Sequence, residues 1–322
     1  MNRSLAIYEP PDGRIWHGVG QDPEGQQAYH DALPSHRHPA LISAYLAPHP
    51  EWTAFVQWRG YTRSELADQF ARFPHHARHL ALSMCVSRVN QTSSPWVYTK
   101  EIAEGLLDPH LITLAQFLAA QTSPVFLRPG FEFNGEWNGY EPESFVAAFR
   151  HIVRLFRENG GANVAFIWHG VTAPPGLPDW SRWYPGDDYV DWWGLSTFRP
   201  GHFDPDKGGV FADDAAQHGK PLMICESTPL FYDIADPEPA WSEWYVPFFR
   251  FIRETPNLKA FVYINQELNK FPMWKDFGDS RLHRSPEILA RYTAELADPR
   301  FIHLPASPPA SSPEPSSVEE TP

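Results

Sequence analysis

Cysteine is scarce in this sequence: only two occur among 322 residues, Cys85 and Cys225. Neither belongs to a CxxC pair and both fall within predicted strands, so we interpret them as buried thiols and not as a disulfide. Histidines cluster at positions 36–38 and 75–79, but no carboxylate at a suitable spacing completes a metal site there. The sequence therefore predicts no metal and no cofactor.

Long hydrophobic runs are also absent. No stretch approaches the roughly 18 apolar residues that a membrane-spanning helix needs, and the first residues lack the apolar segment of an export signal. We therefore expect no membrane partner and, by default, a cytoplasmic location, while the sequence leaves secretion open.

Basic residues are outnumbered, with 26 Lys and Arg against 39 Asp and Glu and a formal net charge of -13. Because nucleic-acid binding requires clustered cations that displace counterions, we expect no nucleic-acid partner. Aromatic residues, in contrast, are abundant: 13 Trp, 12 Tyr and 22 Phe. Most are expected to fill a core, but such apolar rings also suit the C–H faces of sugars. A carbohydrate partner fits this composition best.

Short runs rich in β-branched or aromatic residues alternate with helical stretches. The eight predicted strands are Arg14–Val19, Ala40–Leu46, Leu80–Val86, Pro124–Phe131, Asn163–His169, Tyr189–Thr197, Pro221–Glu226 and Lys259–Ile264. The predicted helices are one capped at Thr62 with Glu65, then His110–Gln121, Glu143–Arg157, Phe211–His218, Pro239–Glu254 and Pro286–Ala297. This order predicts an α/β fold, a closed (β/α)8 TIM barrel, and no GxGxxG follows the first strand to favour a dinucleotide-binding sheet.

The chain is predicted to form a single barrel domain over residues 1–303. Residues 304–322 are nearly all Pro, Ser, Ala and Glu, which cannot bury apolar surface, so we expect a disordered tail without a catalytic role. Long polar loops at 87–98 and 171–186 follow predicted strands, at the end of a barrel where enzymes build their sites.

Two glutamates end predicted strands. Glu132 follows the apolar run that begins at Pro124, and Glu226 ends the run that begins at Leu222. On the fourth and seventh strands of a barrel, both carboxylates point into one mouth. A retaining glycosidase needs such a pair, one protonated and one ionised, roughly 5 to 5.5 Å apart. The alternative reading of either glutamate alone is a salt bridge with an arginine such as Arg128 or Arg199.

The surroundings of the two glutamates divide the roles. Phe131 and Phe133 flank Glu132 with apolar rings that disfavour its charged form, as a general acid requires. Ser227 and Thr228 follow Glu226 and offer hydrogen bonds to a carboxylate. These patterns predict Glu132 as the acid and Glu226 as the nucleophile.

Three segments resemble glycoside hydrolase family 26, best known for β-mannanases. Residues 128–137 read Arg-Pro-Gly-Phe-Glu-Phe-Asn-Gly-Glu-Trp and are similar to the family's Arg-Pro-x-His-Glu-x-Asn-Gly-x-Trp motif. Residues 189–198 and 220–226 resemble its sixth-strand and nucleophile segments, in the same order. The resemblance implies the same roles for Glu132 and Glu226, and makes Trp137 a platform that stacks on a sugar.

Two positions depart from the family pattern. Phe131 stands where the family has a His, and Phe198 where it has a Tyr. Loss of a hydrogen bond in a site weakens binding or catalysis by on the order of 1–3 kcal/mol. We therefore expect a diverged member whose substrate choice has moved away from ordinary mannan.

The predicted function is that of a retaining glycoside hydrolase that cleaves a β-linked oligo- or polysaccharide by double displacement. The predicted substrate-binding residues are Arg128, Phe131, Asn134, Trp137, Trp168, His169, Phe198 and Tyr263. Two alternatives stay open: a carbohydrate-binding protein that kept the barrel and lost turnover, and a transglycosylase that uses the same two glutamates.

Overall fold

The computed structural model describes residues 5–46, 63–86, 96–172 and 180–305. Its strands are β1 (Ile15–Gly20), β2 (Leu41–Leu46), β3 (Ala77–Leu82), β4 (Cys85–Val86), β5 (Trp96–Val97), β6 (Val125–Pro129), β7 (Val164–Val171), β8 (Trp192–Thr197), β9 (Leu222–Ser227), β10 (Leu258–Ile264) and β11 (Phe301–Ile302). Within these ranges, eight parallel strands (β1, β2, β3, β6, β7, β8, β9 and β10) form a barrel that β10 closes by pairing with β1. The predicted (β/α)8 TIM barrel is confirmed.

Helices surround the barrel. They are α1 (Pro23–Ala32), α2 (Arg63–Arg72), α3 (Thr99–Ala103), α4 (Asp108–Ala119), α5 (Pro142–Glu158), α6 (Val210–Gln217), α7 (Pro237–Ala240), α8 (Val246–Glu254) and α9 (Pro286–Glu295). Their apolar faces pack on the outward side chains of the strands: Phe149 and Ile152 of α5, for example, share one core with Phe166 and Trp168 of β7. Among the described residues, no helix combines the length and apolarity that crossing a bilayer requires.

Side chains alternate between this outer core and the barrel interior, as the pleat of a strand demands. Trp192 lies inside the barrel with Phe126 and Ile167, whereas its neighbour Trp193 packs outside. The adjacent tryptophans of β8 thus face opposite sides. Above the inner apolar layer, towards the carboxyl ends of the strands, the inward positions become polar, and these positions build the site.

Three differences from the predicted elements have local causes. The predicted strand 80–86 is divided, because β3 ends at Leu82 and β4 pairs antiparallel with β5. Helix α1 was not predicted, although Asp22 caps it by accepting from the Gly25 N–H and Pro23 opens it. The helix predicted from Pro239 begins at Pro237 and runs through a π-helical turn before α8.

Several predicted features lie outside the described residues. These are the Thr62 cap of α2, positions 87–95 and 173–179 of the two polar loops, and positions 306–322 of the tail. Both cysteines are confirmed as buried free thiols.

The two ends of the described chain meet beneath the barrel. Strand β11 runs parallel to the start of β1, where Ile15 pairs with Phe301, and the Ile15 N–H donates to the Arg300 carbonyl at 2.9 Å. This is the amino-terminal end of the barrel strands, opposite the end where Glu132 and Glu226 lie.

Candidate active site

Glu226 lies at the carboxyl end of β9 and is turned inward by an irregularity in that strand. Opposite β8, Leu195 pairs with Ile224 but Ser196 pairs with Glu226, so one extra residue is inserted at Cys225. Cys225 already faces the barrel interior, and the insertion directs the next side chain to the same side. A regular strand would have pointed Glu226 into the helix layer.

One oxygen of Glu226 receives two strong hydrogen bonds. Arg128 Nη1 donates to Oε1 at 2.7 Å, and the Tyr45 hydroxyl donates to the same atom at 2.5 Å. Glu226 is 5% exposed and Arg128 is fully buried, so the guanidinium compensates a carboxylate that water barely reaches. The pair fixes the orientation of Glu226, and no described residue clamps Oε2 in the same way.

Both donors are kept in their donating forms. Burial lowers the pKa of Arg128, but the carboxylate of Glu226 outweighs that effect and the net pKa stays above the ordinary value. Burial raises the pKa of Tyr45 well above its usual range, and the Glu226 charge raises it further. Tyr45 therefore remains protonated and donates to Glu226 throughout the neutral range.

Glu132 follows β6 in a strained turn. Its φ is +50°, in the left-handed region that costs an ordinary residue about 1–2 kcal/mol. Gly130, two residues earlier, has φ +61°, and a Cβ there would meet Met84 Cε at 2.3 Å. Asn138 holds the turn by donating to the carbonyls of Phe131 and Glu132 at 2.9 and 3.2 Å. Strain of this kind, held by surrounding contacts, is typical of functional positions.

The carboxyl of Glu132 is protonated more readily than an ordinary glutamate. Burial raises its pKa to about 7, helped by the nearby charge of Glu226 and opposed by hydrogen bonds from Ser196 and Trp137. The Trp137 indole donates to Oε2 at 2.8 Å. The two glutamates thus have different environments, one poised to carry a proton and one matched to a cation.

His169, on β7, connects the two glutamates. Its Nδ1 accepts from Arg128 Nη1 at 3.0 Å and from the Glu132 N–H at 3.3 Å, while Nε2 faces Ser196 Oγ at 2.9 Å. Burial, together with the Arg128 charge, lowers the pKa of His169 well below its usual range. A neutral ring that carries its proton on Nε2 satisfies all three contacts.

A cavity of about 610 Å³ opens above the two glutamates. Phe131, Trp137 and Phe198, three of the predicted substrate-binding residues, form part of its wall. Loops after β8, β9 and β10 complete it with residues that the sequence analysis did not predict to bind substrate: Arg199, Lys207, Thr228, Leu230, Leu268, Trp274 and Phe277. Arg128 and His169 lie beneath the cavity and position the glutamates.

Asn134, Trp168 and Tyr263 are not among the described residues that line this cavity. Both ends of the Asn134 amide bond the backbone of Val171, at 2.7 and 2.8 Å, which ties the Glu132 loop to β7. Trp168 and Tyr263 occupy outward positions of their strands and pack in the helix layer. The structure therefore does not bring these three side chains to the cavity, and for Trp168 and Tyr263 the reason is the outward pleat of their strands.

Tyr45 is the important residue that the sequence analysis missed. It lies near the end of β2, contacts Glu226, and packs edge-on against Phe131 with ring centroids 4.9 Å apart. The available signal was its position near the end of a predicted barrel strand, where inward residues face the mouth.

Comparison with known proteins places these features in a family. Residues 93–226, which include both glutamates, match the sequence profile of Glycosyl hydrolase family 26. A β-1,3-xylanase of Vibrio sp is 31% identical over 319 residues, covering 91% of this chain and 66% of that protein. A β-1,3-xylanase of Alcaligenes sp is 31% identical over 320 residues with the same coverage. The chain thus spans just under two thirds of the length of these relatives.

Solved structures share the fold at lower identity. A Cellulomonas fimi endo-β-1,4-mannanase double mutant gives a TM-score of 0.64 at 18% identity, covering 91% of this chain and 72% of that one. A β-mannanase from Bacteroides ovatus gives 0.59 at 17% identity, with 91% and 88% covered. At such identities the likeness is one of fold.

Proposed function

The chain belongs to glycosyl hydrolase family 26, and from that premise we propose that it hydrolyses β-1,3-linked xylan with retention of anomeric configuration. The observation that carries the chemistry is the buried pair of glutamates in unlike environments. Glu226 is clamped by Arg128 and Tyr45, and Glu132 has a pKa raised to about 7. A double displacement needs one carboxylate and one carboxylic acid of this kind.

The reaction proceeds in two steps. Glu226 attacks the anomeric carbon through its free oxygen, while Glu132 transfers its proton to the glycosidic oxygen as the C–O bond breaks. Water then attacks the glycosyl ester, gives its proton to Glu132, and releases Glu226. His169 and Arg128 contact no reacting atom in this scheme and serve to hold the glutamates in place.

The pKa of Glu132 changes between the steps in the direction that catalysis requires. In the resting enzyme, the charge of Glu226 helps to raise that pKa. When Glu226 becomes an ester its charge disappears, so this contribution is lost and the pKa of Glu132 falls. The same residue therefore serves as an acid in the first step and as a base in the second.

The proposed substrate follows from the wall beside the glutamates and from the two xylanase relatives. Phe131 and Phe198 line the cavity with apolar rings. A xylose ring lacks the exocyclic CH₂OH group of mannose, so it leaves fewer hydroxyls unpaired against such a wall. Because a buried unpaired polar group is costly, an apolar wall discriminates against the more hydroxylated sugar.

A substrate panel tests the proposal. Purified protein is expected to cleave β-1,3-xylan with a higher kcat/KM than β-1,4-xylan, β-1,3-glucan or β-1,4-mannan, and NMR of the first products should show the β-anomer. Faster cleavage of mannan would refute the substrate, and an α-configured first product would refute the double displacement.

Restoring the family's residues at positions 131 and 198 tests whether the apolar wall of the cavity sets the substrate preference. We expect Phe131→His combined with Phe198→Tyr to raise the ratio of kcat/KM on β-1,4-mannan to that on β-1,3-xylan about fivefold, since one gained hydrogen bond contributes on the order of 1 kcal/mol. The single variants serve as controls for packing, because Phe131 contacts Tyr45 directly. If a folded double variant keeps the wild-type ratio of mannan to xylan cleavage, the loops around the cavity and not these two rings determine specificity.

A further inference from the structure

An exposed phenylalanine stands beside the mouth of the barrel in the loop after β9. Phe231 is 47% exposed, and its φ of +72° lies in the left-handed region. This conformation is unfavourable for a bulky residue, because Cβ crowds the following carbonyl. An exposed ring gains little burial to offset the strain, so packing does not explain why a phenylalanine occupies this position.

Contacts with two residues, Phe277 and Arg199, fix the ring in place. The Phe231 N–H donates to the Phe277 carbonyl at 3.1 Å, and the two rings meet edge to face with centroids 5.2 Å apart. The Arg199 guanidinium lies over the Phe231 ring, 4.6 Å from its centroid. The ring is therefore positioned in advance, and binding a ligand on it requires little additional ordering.

Phe231 continues the wall of the catalytic cavity outward. Both residues that hold it, Arg199 and Phe277, line that cavity, and Phe277 stacks on Trp274, another lining residue, with planes 14° apart. An aromatic row thus leads from the cavity to the rim.

We propose that Phe231 is the stacking platform of a distal subsite that binds a xylose ring of β-1,3-xylan remote from the bond being cleaved. This proposal rests on the proposed function. The C–H face of a xylopyranose is apolar and carries no exocyclic group, so it lies flat on an aromatic ring. The Arg199 guanidinium covers one face of the ring and leaves the other face for the sugar, and a chain with net charge -13 disfavours a polyanionic occupant.

Phe231→Gly is the test variant. Glycine adopts a φ of +72° without strain, so the variant removes the ring while the turn is kept. The measurement is kcat/KM on β-1,3-xylo-oligosaccharides from the trimer to the hexamer. We expect the hexamer-to-trimer ratio to fall about tenfold relative to the wild type, since loss of roughly 50 Å² of apolar contact costs that factor. Phe231→Tyr, which keeps the ring, should retain the wild-type ratio.

Each outcome decides the proposal. A ratio that is unchanged in Phe231→Gly, or a loss equal at all chain lengths, would overturn the distal subsite while leaving the proposed function intact. A Tyr variant that loses the ratio as glycine does would also overturn it. If the wild type cleaves no member of the series, the proposed substrate fails, and a xylose subsite fails with it. Thermal unfolding is the folding control, and a change in the ratio counts only in a Phe231→Gly variant that unfolds cooperatively like the wild type.

Discussion

Glu226→Ala is expected to abolish hydrolysis, with a fall in kcat on the order of 10⁴-fold or more, because no other group can form the glycosyl ester. Azide is small enough to enter the space that the side chain leaves, and should restore turnover of an activated aryl β-xyloside. The product should be the α-glycosyl azide, since azide attacks once and inverts the anomeric carbon. Two measurements check this prediction: the rate of xylan hydrolysis by the variant, and NMR identification of the glycosyl azide formed in the presence of azide.

The controls for Glu226 separate chemistry from folding. Removing the carboxylate leaves Arg128 buried without its counterion, and loss of one partner of a buried pair costs roughly 3–5 kcal/mol. Glu226→Gln keeps an oxygen that accepts from Arg128 and Tyr45, so it should remain folded yet equally inactive. Glu267→Ala, which removes a half-buried glutamate that pairs with Arg281, should keep wild-type turnover. Wild-type activity in either Glu226 variant would refute the assignment of Glu226 as the nucleophile.

Glu132→Ala is expected to slow cleavage of xylan about 10²- to 10⁴-fold, the usual contribution of a general acid. Aryl xylosides with acidic phenols need no protonation of the leaving group, so formation of their glycosyl ester should be spared. The pH profile gives an independent measurement. Because the protonated form of Glu132 is the active one, kcat/KM of the wild type should fall as pH rises through about 7, and this limb should vanish in the variant.

A nearby glutamate gives the matched control for Glu132. Glu136 belongs to the same segment but is exposed, so Glu136→Ala should keep both the rate and the alkaline limb of the wild type. Equal losses on xylan and on activated xylosides in Glu132→Ala would mean that the residue shapes the cavity and does not donate a proton. If the alkaline limb of the pH profile persists in Glu132→Ala, a group other than Glu132 is responsible for it.

The strands and the two glutamates could be predicted from sequence because each rests on a local signal. Apolar runs mark buried parallel strands, and a carboxylate at the end of such a run stands at the mouth of a barrel. The side that a residue faces depends on pleat and register, which are not local. Trp168 and Tyr263 were selected by their nearness to a strand end, whereas the outward pleat places both in the helix layer.

The bulge at Cys225 is a second case in which the side that a residue faces could not be predicted from the local sequence. Strict alternation from Met223 and Cys225, which face inward, would have directed Glu226 outward. Only the pairing with β8, where Ser196 meets Glu226, reveals the extra residue that brings the carboxylate to Arg128. Tyr45 escaped notice for a related reason, because its partner is distant in sequence and no motif surrounds it.

The rim of the cavity was beyond sequence reasoning. Trp274 and Phe277 lie in an irregular stretch after β10 that carries no hydrophobic period, and the strain at Phe231 is a property of its backbone. Such loops are positioned by the barrel and not by their own pattern.

The seating of β11 against the start of β1 has a practical consequence for protein engineering. It brings residues near 15 and 301 together on the face of the barrel opposite the cavity. A partner protein fused after His303 would lie below the barrel and leave the mouth of the cavity clear. The same proximity allows a short linker to join positions near 15 and 301, so that circular permutants of the barrel with new termini in other exposed loops become accessible.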